Sequence, residues 1–598
     1  MCGIVGFVSS KQNKGLIDSV TKSMVHRGPD EIKTSIYPIG DNYLHLGSAR
    51  LSITGLKDGD MPMEDEYGNV LVYNGEIYEL DTLRKKYSLN LESKSDTRHL
   101  LNILRKEEIS EIKNLNGMFA FAYFQKNTGK IFIGRDRLGI KPLYFGSNEN
   151  FNFYFCSEIK PLLTNKIIKN RLDKKSIKNY LYLGGVSSFE SLFSELNTQL
   201  PSTITEYRSN KITNNAYAEE LNFNPMKTDN SFHNLFSNAL DDQLSAEVPV
   251  NILLSGGIDS SLIALYAKKY LERNVTAYSL GYENNLYDET SKAENVSNQL
   301  EIDLVKFNFP ENKNEEIIDE ILNKLPEPIA DPSIVPSYYL AKKVSEFTKV
   351  VITGDGADEL FGGYEWHRAA LISKYMPKGM EPILSLFSTL NLGTNDYITQ
   401  KDRIKLFNLG NSLSLLEKIV LWQNFTPSEK LNDQILHNRD YIKKMGLDEK
   451  NSIDDLRILD MKNYLYSNIL KKGDISSMLN SLEARPVFLD NRVVNFALSN
   501  DNKENFNFLE TKLFLKKILR NDLRSYNFKK KHGFSHDFGE WTENTGFKYL
   551  ENNWMEINEV NRLISYLKNN DEQKYFTSRY IWKFYSLFKW IEVNKISI

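Results

Sequence analysis

One stretch of the sequence decides the fold: residues 248–262 read VPVNILLSGGIDSSL. An apolar run typical of a β-strand ends abruptly at Ser255-Gly256-Gly257, and a helical pattern of apolar residues begins at Leu262. A strand, a glycine turn and a helix N-terminus together present backbone N–H groups and a helix dipole to an anion. The two glycines let the backbone approach a phosphate closely, because no Cβ intervenes. The stretch therefore predicts a phosphate-binding loop at the end of a buried strand.

The side chains of this loop offer further ligands for a phosphate. Ser255, Ser260 and Ser261 carry hydroxyl donors, and Asp259 can hold a magnesium ion beside the phosphates. No lysine follows the glycines, so the loop does not match the Walker pattern. The residue order instead resembles the pyrophosphate loop of enzymes that cleave ATP between its α and β phosphates. The alternative is an ordinary strand-to-helix turn.

An acidic, glycine-rich turn is expected close to this loop. The other strands predicted in this half of the chain are residues 275–280, 304–307 and 350–352. Strands that alternate with helices form parallel, right-handed units, and ligands bind at the carboxyl ends of such strands. Residues 353–364, TGDGADELFGGY, follow the last strand and carry Asp355, Asp358 and Glu359. Acids this close repel one another unless a cation or phosphate chemistry organises them; the alternative is a solvated acidic turn.

Composition narrows the class of protein. A chain of 598 residues is too long for one core and should form two or more domains. A net charge of −3, with 26% charged residues, does not favour partners such as nucleic acid or an anionic membrane. The only cysteines, Cys2 and Cys156, favour a reducing compartment. With no long apolar run and no signal-peptide pattern, we expect a cytoplasmic protein.

The start of the chain carries a candidate nucleophile. Cys2 follows Met1 directly, and a small residue there permits removal of the methionine, which would leave Cys2 with a free α-amine. Such an amine has an unperturbed pKa of roughly 7.7–8.0 and can act as a base for its own thiol. A cysteine at this position is a weak signal alone.

Polar residues at the ends of predicted strands strengthen that signal. Arg50 can bind a carboxylate with two hydrogen bonds. Asn74 and Gly75 follow a strand at residues 70–73 and can form an oxyanion hole. Asp96 offers an anion to an ammonium group. Each residue also has a simpler explanation as a surface ion pair or a turn residue.

In this order, six motifs resemble the N-terminal-nucleophile glutaminase domain of class II amidotransferases: CGI, HRGPD, ARLSI, NGEIY, SDT and RDRLGIKPLY. The resemblance implies an αββα sandwich that binds glutamine and releases ammonia from its carboxamide. It implies that Cys2 is the nucleophile and that Asn74 and Gly75 are the oxyanion donors. The glutamine-binding residues that it implies are Arg50 for the carboxylate, Glu76 and Asp96 for the amino group, and Asn74 and Gly75.

The second half of the chain is similar to the synthetase domain of the asparagine-synthetase family. The motifs are SGGIDSS, YDE, GDGADELFGGY, LEARPVFLD and KHGF, so the resemblance covers nearly the whole chain. It implies an α/β parallel-sheet ATP pyrophosphatase domain with extra helices, which uses ATP and Mg²⁺ to adenylate a carboxylate before ammonia attacks. The ATP-binding residues that it implies are Leu254, Ser255, Gly256, Gly257, Asp259, Ser260, Leu280, Thr353 and Gly354. The other roles that it implies are magnesium binding for Asp259 and Asp358, a place beside the acyl-adenylate for Asp355, and stabilisation of leaving pyrophosphate for Lys531.

The sequence thus predicts an α/β and α+β protein of two domains. The glutaminase domain would cover residues 1–210 and the ATP-binding domain residues 230–598, with a junction near 210–230. An aromatic stretch at 575–593 predicts a helix packed on the second domain, with an interfacial membrane helix as the alternative. A homodimer is a further expectation.

The chain departs from the family pattern at four places. Arg98 stands where an acid usually follows SDT, and Pro201-Ser202 replaces a proline-glycine. Ile475 replaces a common arginine and Pro486-Val487 inverts the usual order; these two lie where the acceptor pocket could be shaped, so they leave the acceptor open. The leading hypothesis is glutamine-dependent asparagine synthesis from aspartate. The same chemistry on another carboxylate, such as a uronic acid or a peptide intermediate, is the second hypothesis. A regulator with a decayed synthetase half is the third, although the intact phosphate loop argues against it.

Overall fold

The computed structural model describes most of the chain. The residues outside the description are 90–92, 107–108, 188, 218–230, 283–287, 377–399, 411–412, 425–430, 448–451, 524–525, 527–540, 542–544 and 570–573. Among the helices that are described, none has the length and apolar character needed to cross a membrane.

Two antiparallel sheets form the first half of the chain. Their strands are β1 (Cys2–Ser9), β2 (Glu31–Ile39), β3 (Asn42–Arg50), β4 (Met63–Glu64), β5 (Val70–Ile77), β6 (Gly117–Gln125), β7 (Lys130–Arg135), β8 (Tyr144–Gly146), β9 (Phe153–Cys156), β10 (Asn197–Thr198), β11 (Thr203–Arg208) and β12 (Lys211–Ala216). One sheet has the order β10-β8-β9-β1-β3-β2 and the other β12-β11-β7-β6-β5-β4. The sheets face each other where β1 and β3 approach β5.

Helices cover both outer faces of these sheets. Helix Lys14–Lys22 packs on β1, β2 and β3, and helix Asp96–Lys106 packs on β5. The other helical segments of this half are Leu80–Lys86, Ile109–Asn114, Ile159–Thr164 and Lys174–Leu183. The predicted αββα sandwich is confirmed. Strand β12 lies within the predicted junction near 210–230 and pairs with β11; the domain limits stay a prediction.

A parallel five-stranded sheet organises the second half. Its strands are β13 (Val250–Leu253), β14 (Thr276–Tyr282), β15 (Asp303–Phe309), β16 (Val350–Thr353) and β17 (Glu483–Pro486), in the order β15-β14-β13-β16-β17. In chain order, β14 and β15 are added on one side of β13, and β16 then pairs with β13 on its other side. The strand order therefore switches between β13 and β16, where open α/β sheets bind their ligands. The predicted parallel α/β fold is confirmed.

Many helices surround this sheet. They are Phe232–Leu244, Ile258–Leu265, Tyr266–Tyr270, Thr290–Leu300, Glu311–Lys313, Asn314–Lys324, Ile334–Val344, Ala357–Leu360, Glu365–Tyr375, Gln400–Leu409, Leu415–Asn424, Leu431–Lys444, Asp455–Asp460, Met461–Leu470, Lys471–Met478, Val487–Leu489, Asn491–Ser499, Asn502–Asn505, Leu513–Asp522, Phe547–Asn553, Asn558–Asn569 and Lys574–Val593.

The aromatic C-terminal helix, Lys574–Val593, packs on the second domain as predicted. Trp582 and Trp590 are fully buried. Their indole N–H groups donate to the carbonyls of Ile329 at 3.0 Å and Leu325 at 3.1 Å. The aromatic side chains on this face are therefore part of the core rather than an exposed apolar surface.

Candidate active sites

Cys2 is the first residue of β1 and lies at the edge of the sheet where β3 ends. It pairs with Arg50, the last residue of β3, and its side chain is buried. Its backbone N–H donates to Oδ1 of Asn74 at 2.9 Å. Burial raises the pKa of the Cys2 thiol, against the opposing effect of the N-terminal ammonium. Formation of the thiolate therefore needs a base close by.

The predicted oxyanion donors lie within β5. The strand continues to Ile77, beyond the predicted end at residue 73, because β6 pairs with Asn74 and Gly75 as well. With Oδ1 of Asn74 bound to Cys2, Nδ2 is buried and has no hydrogen-bond partner among the described residues. A Cβ at Gly75 would lie 2.1 Å from the carbonyl oxygen of Met118, so only glycine fits. Asn74 thus keeps one amide donor available beside the nucleophile.

Glu76 and Asp96 form a pair of buried carboxylates that share the hydroxyl of Thr54. This hydroxyl donates to Glu76 at 3.2 Å and to Asp96 at 3.5 Å. Asp96 also accepts backbone N–H groups of Thr97 at 2.8 Å and Ile77 at 3.3 Å. Burial, and for Glu76 the charge of Asp96, raise the pKa of both carboxyls. An ammonium group between them would offset this repulsion, as the amino group of glutamine requires.

The guanidinium of Arg50 is held in place by the loop that follows β3. It donates to Oδ1 of Asp60 at 3.1 Å and to the carbonyl of Gly55 at 2.7 Å. Arg98 supports the same loop, since it pairs with Asp58 at 3.3 Å and donates to the Asp58 carbonyl at 3.2 Å. Arg98, which departs from the family pattern, thus anchors the loop beside Arg50.

The phosphate loop connects β13 to helix Ile258–Leu265 at the switch in strand order. The Ser255 N–H donates to the hydroxyl of Ser260 at 3.2 Å, and the Gly257 N–H donates to the Ser255 hydroxyl at 3.3 Å. Gly256 has a φ of +70°, and a Cβ there would lie 2.5 Å from backbone atoms of Lys292 and Ala293. The turn therefore requires glycine at position 256.

A cavity of about 310 Å³ opens beside this loop. It is lined by the predicted residues Leu254, Ser255, Asp259, Ser260, Leu280, Thr353, Gly354, Asp355 and Asp358. Gly256 and Gly257 do not line it. The structure thus brings the ends of β13, β14 and β16 together around one space, while Lys531 lies outside the described residues.

The acidic residues of this cavity suit a magnesium ion shared with phosphates. No group of three or more metal-binding side chains occurs in the described part of the chain. Asp259 and Asp358 are nevertheless close, because both contact the ammonium of Lys512 at 2.6 Å. Magnesium binds in proteins through one or two carboxylates together with phosphate oxygens and water. This pair of carboxylates therefore fits the ion that the sequence implies.

Comparison with known proteins identifies the family. Residues 231–590 match the family model described as Asparagine synthase, and residues 1–218 match the one described as Glutamine amidotransferase domain. The chain belongs to the asparagine synthase family. Membership makes it an ATP-dependent ligase with a glutamine amidotransferase domain.

Relatives of this asparagine synthase family member extend over nearly its full length. Asparagine synthetase (glutamine-hydrolyzing) 1 of Bacillus subtilis is 28% identical over 99% of this chain and 97% of the relative. Putative asparagine synthetase (glutamine-hydrolyzing) 2 of Methanocaldococcus jannaschii is 32% identical over 80% of this chain and 98% of the relative. A solved structure of the allosteric regulatory enzyme of purine biosynthesis is 15% identical to this chain. The match covers 46% of this chain and 64% of that enzyme's chain, and its TM-score is only 0.29.

Sequence reasoning missed Arg27 in the HRGPD motif as a functional residue. It is fully buried and donates to the carbonyl of Cys2 at 3.2 Å. It also binds both oxygens of Asp474 at 2.8 and 3.1 Å and one of Glu158 at 3.0 Å. Asp474 belongs to the asparagine synthase half, so this arginine joins Cys2, the predicted nucleophile, to that half. The sequence shows Arg27 within a polar motif, but it does not indicate that Asp474 is its partner.

Strand β17 brings two further buried charges to the glutaminase site. Glu483 lies 3.1 Å from the ammonium of Met1, and Arg485 lies 3.2 Å from Glu76. The two residues also pair with each other at 2.6 Å. In the chain that still carries Met1, the N-terminal ammonium and Arg485 hold the pKa of Glu483 at about 2, although burial opposes its ionisation. A strand of the asparagine synthase half thus contacts Glu76, which is predicted to bind glutamine.

Glu359, in the acidic turn, is a further residue that sequence reasoning left without a role. It lines the cavity and accepts a hydrogen bond from the Tyr364 hydroxyl at 2.6 Å. Burial, and then the charge of Asp358, raise the pKa of Glu359 to about 8. A carboxyl with this pKa can take up a proton near neutral pH.

Proposed function

We propose that this protein is a glutamine-dependent asparagine synthetase. It would hydrolyse glutamine to ammonia, activate aspartate with ATP and amidate it, giving asparagine, glutamate, AMP and pyrophosphate. The observation that carries the proposal is the presence of two complementary sites in one chain. Asn74 keeps an amide donor beside Cys2, and a cavity of about 310 Å³ lies at the phosphate loop.

In the glutaminase reaction, the α-amine of Cys2, free once Met1 is removed, accepts the thiol proton as Sγ attacks the carboxamide carbon of glutamine. The electron pair moves to the carboxamide oxygen, where Nδ2 of Asn74 and the N–H of Gly75 would stabilise it. The α-ammonium returns the proton to the leaving nitrogen as the C–N bond breaks and ammonia leaves, and water then frees glutamate from the thioester. The buried carboxylates Glu76 and Asp96 orient the substrate by accepting its ammonium group.

In the synthetase reaction, a carboxylate oxygen of the acceptor attacks the α phosphorus of ATP and pyrophosphate leaves. Ser255, Ser260 and the backbone of their loop would hold the phosphates. Asp259 and Asp358 would hold magnesium, which when bound neutralises phosphate charge. Ammonia then attacks the acyl carbon beside Asp355, and AMP leaves.

One residue of the cavity supports a proton transfer. Glu359 lines the cavity, and its ionised form, which a pKa of about 8 makes the minority at pH 7, would accept the proton that the attacking nitrogen loses. Lys531 stays the residue predicted to stabilise pyrophosphate, on sequence grounds alone.

Features of the cavity wall support aspartate as the acceptor. Lys472 lines it, with an ammonium held by Asp331 at 2.9 Å and Ser333 at 2.8 Å, and offers a cation to an α-carboxylate. The departures at Ile475 and Pro486 lie away from the lining of this cavity in the described chain. These two departures are the main reason to consider a uronic acid as the acceptor. Their position away from the cavity lining does not support that choice.

The test is pyrophosphate release and amide formation with glutamine present, for aspartate, aspartate analogues and a uronic acid. An analogue that lacks the α-amine or the α-carboxylate leaves buried groups unpaired at about 1–3 kcal/mol each, so we expect kcat/KM to fall roughly 5- to 150-fold. Amidation of the uronic acid, with none on aspartate, would establish the second hypothesis. Cleavage of ATP to ADP and phosphate would contradict the assignment of the loop.

A further inference from the structure

Lys512 joins the two candidate magnesium ligands. Its ammonium lies 2.7 and 2.6 Å from the two oxygens of Asp259 and 2.6 Å from Oδ1 of Asp358. Asp259 follows the phosphate loop, whereas Asp358 lies in the acidic turn after β16. One buried cation therefore connects the carboxylates of two loops that meet at the cavity.

The surroundings of Lys512 hold it in this position. Its φ of +51° lies in the left-handed region, which a non-glycine residue adopts when neighbouring structure requires it. A Cβ at Gly363 would lie 1.8 Å from Oδ1 of Asp358 and 2.3 Å from Cε of Lys512. Gly363 thus leaves space for the pair, and any side chain there would separate Lys512 from Asp358.

A positive charge between these acids offsets their repulsion. Asp259 is buried and Asp358 is partly exposed, and carboxylates this close to a common point repel each other when no positive charge separates them. In the present structure the ammonium of Lys512 supplies positive charge at this point. The carboxylate oxygens that it contacts are those that a divalent ion would use.

We propose that Lys512 is a built-in counter-cation that occupies the magnesium position until magnesium and ATP enter together. A metal ion alone has to displace the ammonium without offering it a new anion, and so binds weakly. The phosphates of ATP supply that anion, so magnesium enters with the nucleotide rather than before it. The inference rests on the proposed function in one respect, the use of this cavity for ATP.

The test is thermal unfolding of the full chain without ATP, in EDTA and then in millimolar Mg²⁺ or Mn²⁺. For the natural chain we expect the unfolding temperature to be nearly the same with and without metal. Lys512→Met should unfold at a lower temperature in EDTA and regain stability with metal, because the two acids are then available to the ion. Lys516→Met is the matched control: Lys516 lies in helix Leu513–Asp522, its ammonium pairs with Glu510 at 3.2 Å, and metal should not affect this variant.

Each outcome decides the proposal. An equal response to metal in the natural chain and in Lys512→Met would overturn it, since the ammonium would then be a purely structural partner. If Lys512→Met does not fold, Mn²⁺ binding to the natural chain is measured by electron paramagnetic resonance. Tight binding of Mn²⁺ without ATP would overturn the proposal, and weak or no binding without ATP would support it. None of these readouts needs turnover, so failure of the proposed function shows separately, as absence of acceptor-dependent pyrophosphate.

Discussion

Replacing Arg485 by methionine should weaken glutamine binding, although Arg485 belongs to the ATP-binding domain. Its guanidinium is fully buried between Glu76 and Glu483. Burial and the charge of Asp96 already raise the pKa of Glu76. Without the opposing charge of Arg485 this pKa rises further, which disfavours the ionised form of Glu76 that we propose binds the amino group of glutamine.

The expected size of the effect follows from these contacts. A hydrogen bond to a charged group contributes about 1.5–3 kcal/mol, and each 1.4 kcal/mol is tenfold in affinity, so KM for glutamine should rise roughly 10- to 150-fold. The kcat for hydrolysis should change less, because Asn74 keeps its contact with Cys2. Removal of one partner from a buried ion pair should also lower the free energy of unfolding by about 3–5 kcal/mol.

The assay is glutamate release as a function of glutamine concentration, together with urea unfolding. Arg492→Met is the matched control, because Arg492 is a partly exposed arginine that pairs with Asp490 and Asp242 at 2.8 Å. We expect the control to leave KM nearly unchanged.

A double variant decides whether Arg485 acts through Glu76. If it does, the KM of Arg485→Met with Glu76→Gln should match that of Glu76→Gln alone, since the two residues share one interaction. Additive effects, or an unchanged KM in Arg485→Met, would refute the reasoning.

Three more outcomes are expected. Cys2→Ala should abolish glutamate release and leave synthesis from added ammonium largely intact; equal loss of both activities would argue against separable sites. Asp259→Ala or Asp358→Ala should remove acceptor-dependent pyrophosphate release, measured enzymatically, while glutaminase activity persists. Burial lowers the pKa of Lys583 to about 7, so between pH 7 and about 10 the unfolded chain binds a proton that the folded chain does not, and stability should rise with pH. In Lys583→Met the unfolding temperature should rise less across this window, and an identical pH slope would count against the assignment.

The sequence predicted features that depend on local order. The apolar run before Ser255, the glycines and the apolar pattern from Leu262 are enough to specify a strand, a turn and a helix, and the structure has all three. Part of the cavity lining, including Leu280 and Thr353, was predicted from the resemblance to the family, whereas other lining residues such as Lys472 were not predicted. The end of β5 was placed too early, at residue 73, because pairing with β6 sustains the strand through Asn74 and Gly75.

Contacts between distant parts of the chain could not be predicted in this way. Arg27 and Asp474 are separated by 447 positions, and neither residue's neighbours indicate the other. Lys512 lies outside every motif, yet it contacts both candidate magnesium ligands. Pairing of buried charges depends on how domains and loops pack, and a periodic pattern carries no information about that packing.

The buried charges at the domain boundary restrict how such a protein can be divided or recombined. A glutaminase half expressed alone would expose Arg27 and Glu76 after losing Asp474 and Arg485, their partners in the other half. A chimaera with another synthetase would need helix Lys471–Met478 and strand β17 from the same parent. Exchange of halves between homologues should therefore succeed when this helix and strand travel with the glutaminase, and a breakpoint near residues 210–230 should yield poorly folded chains.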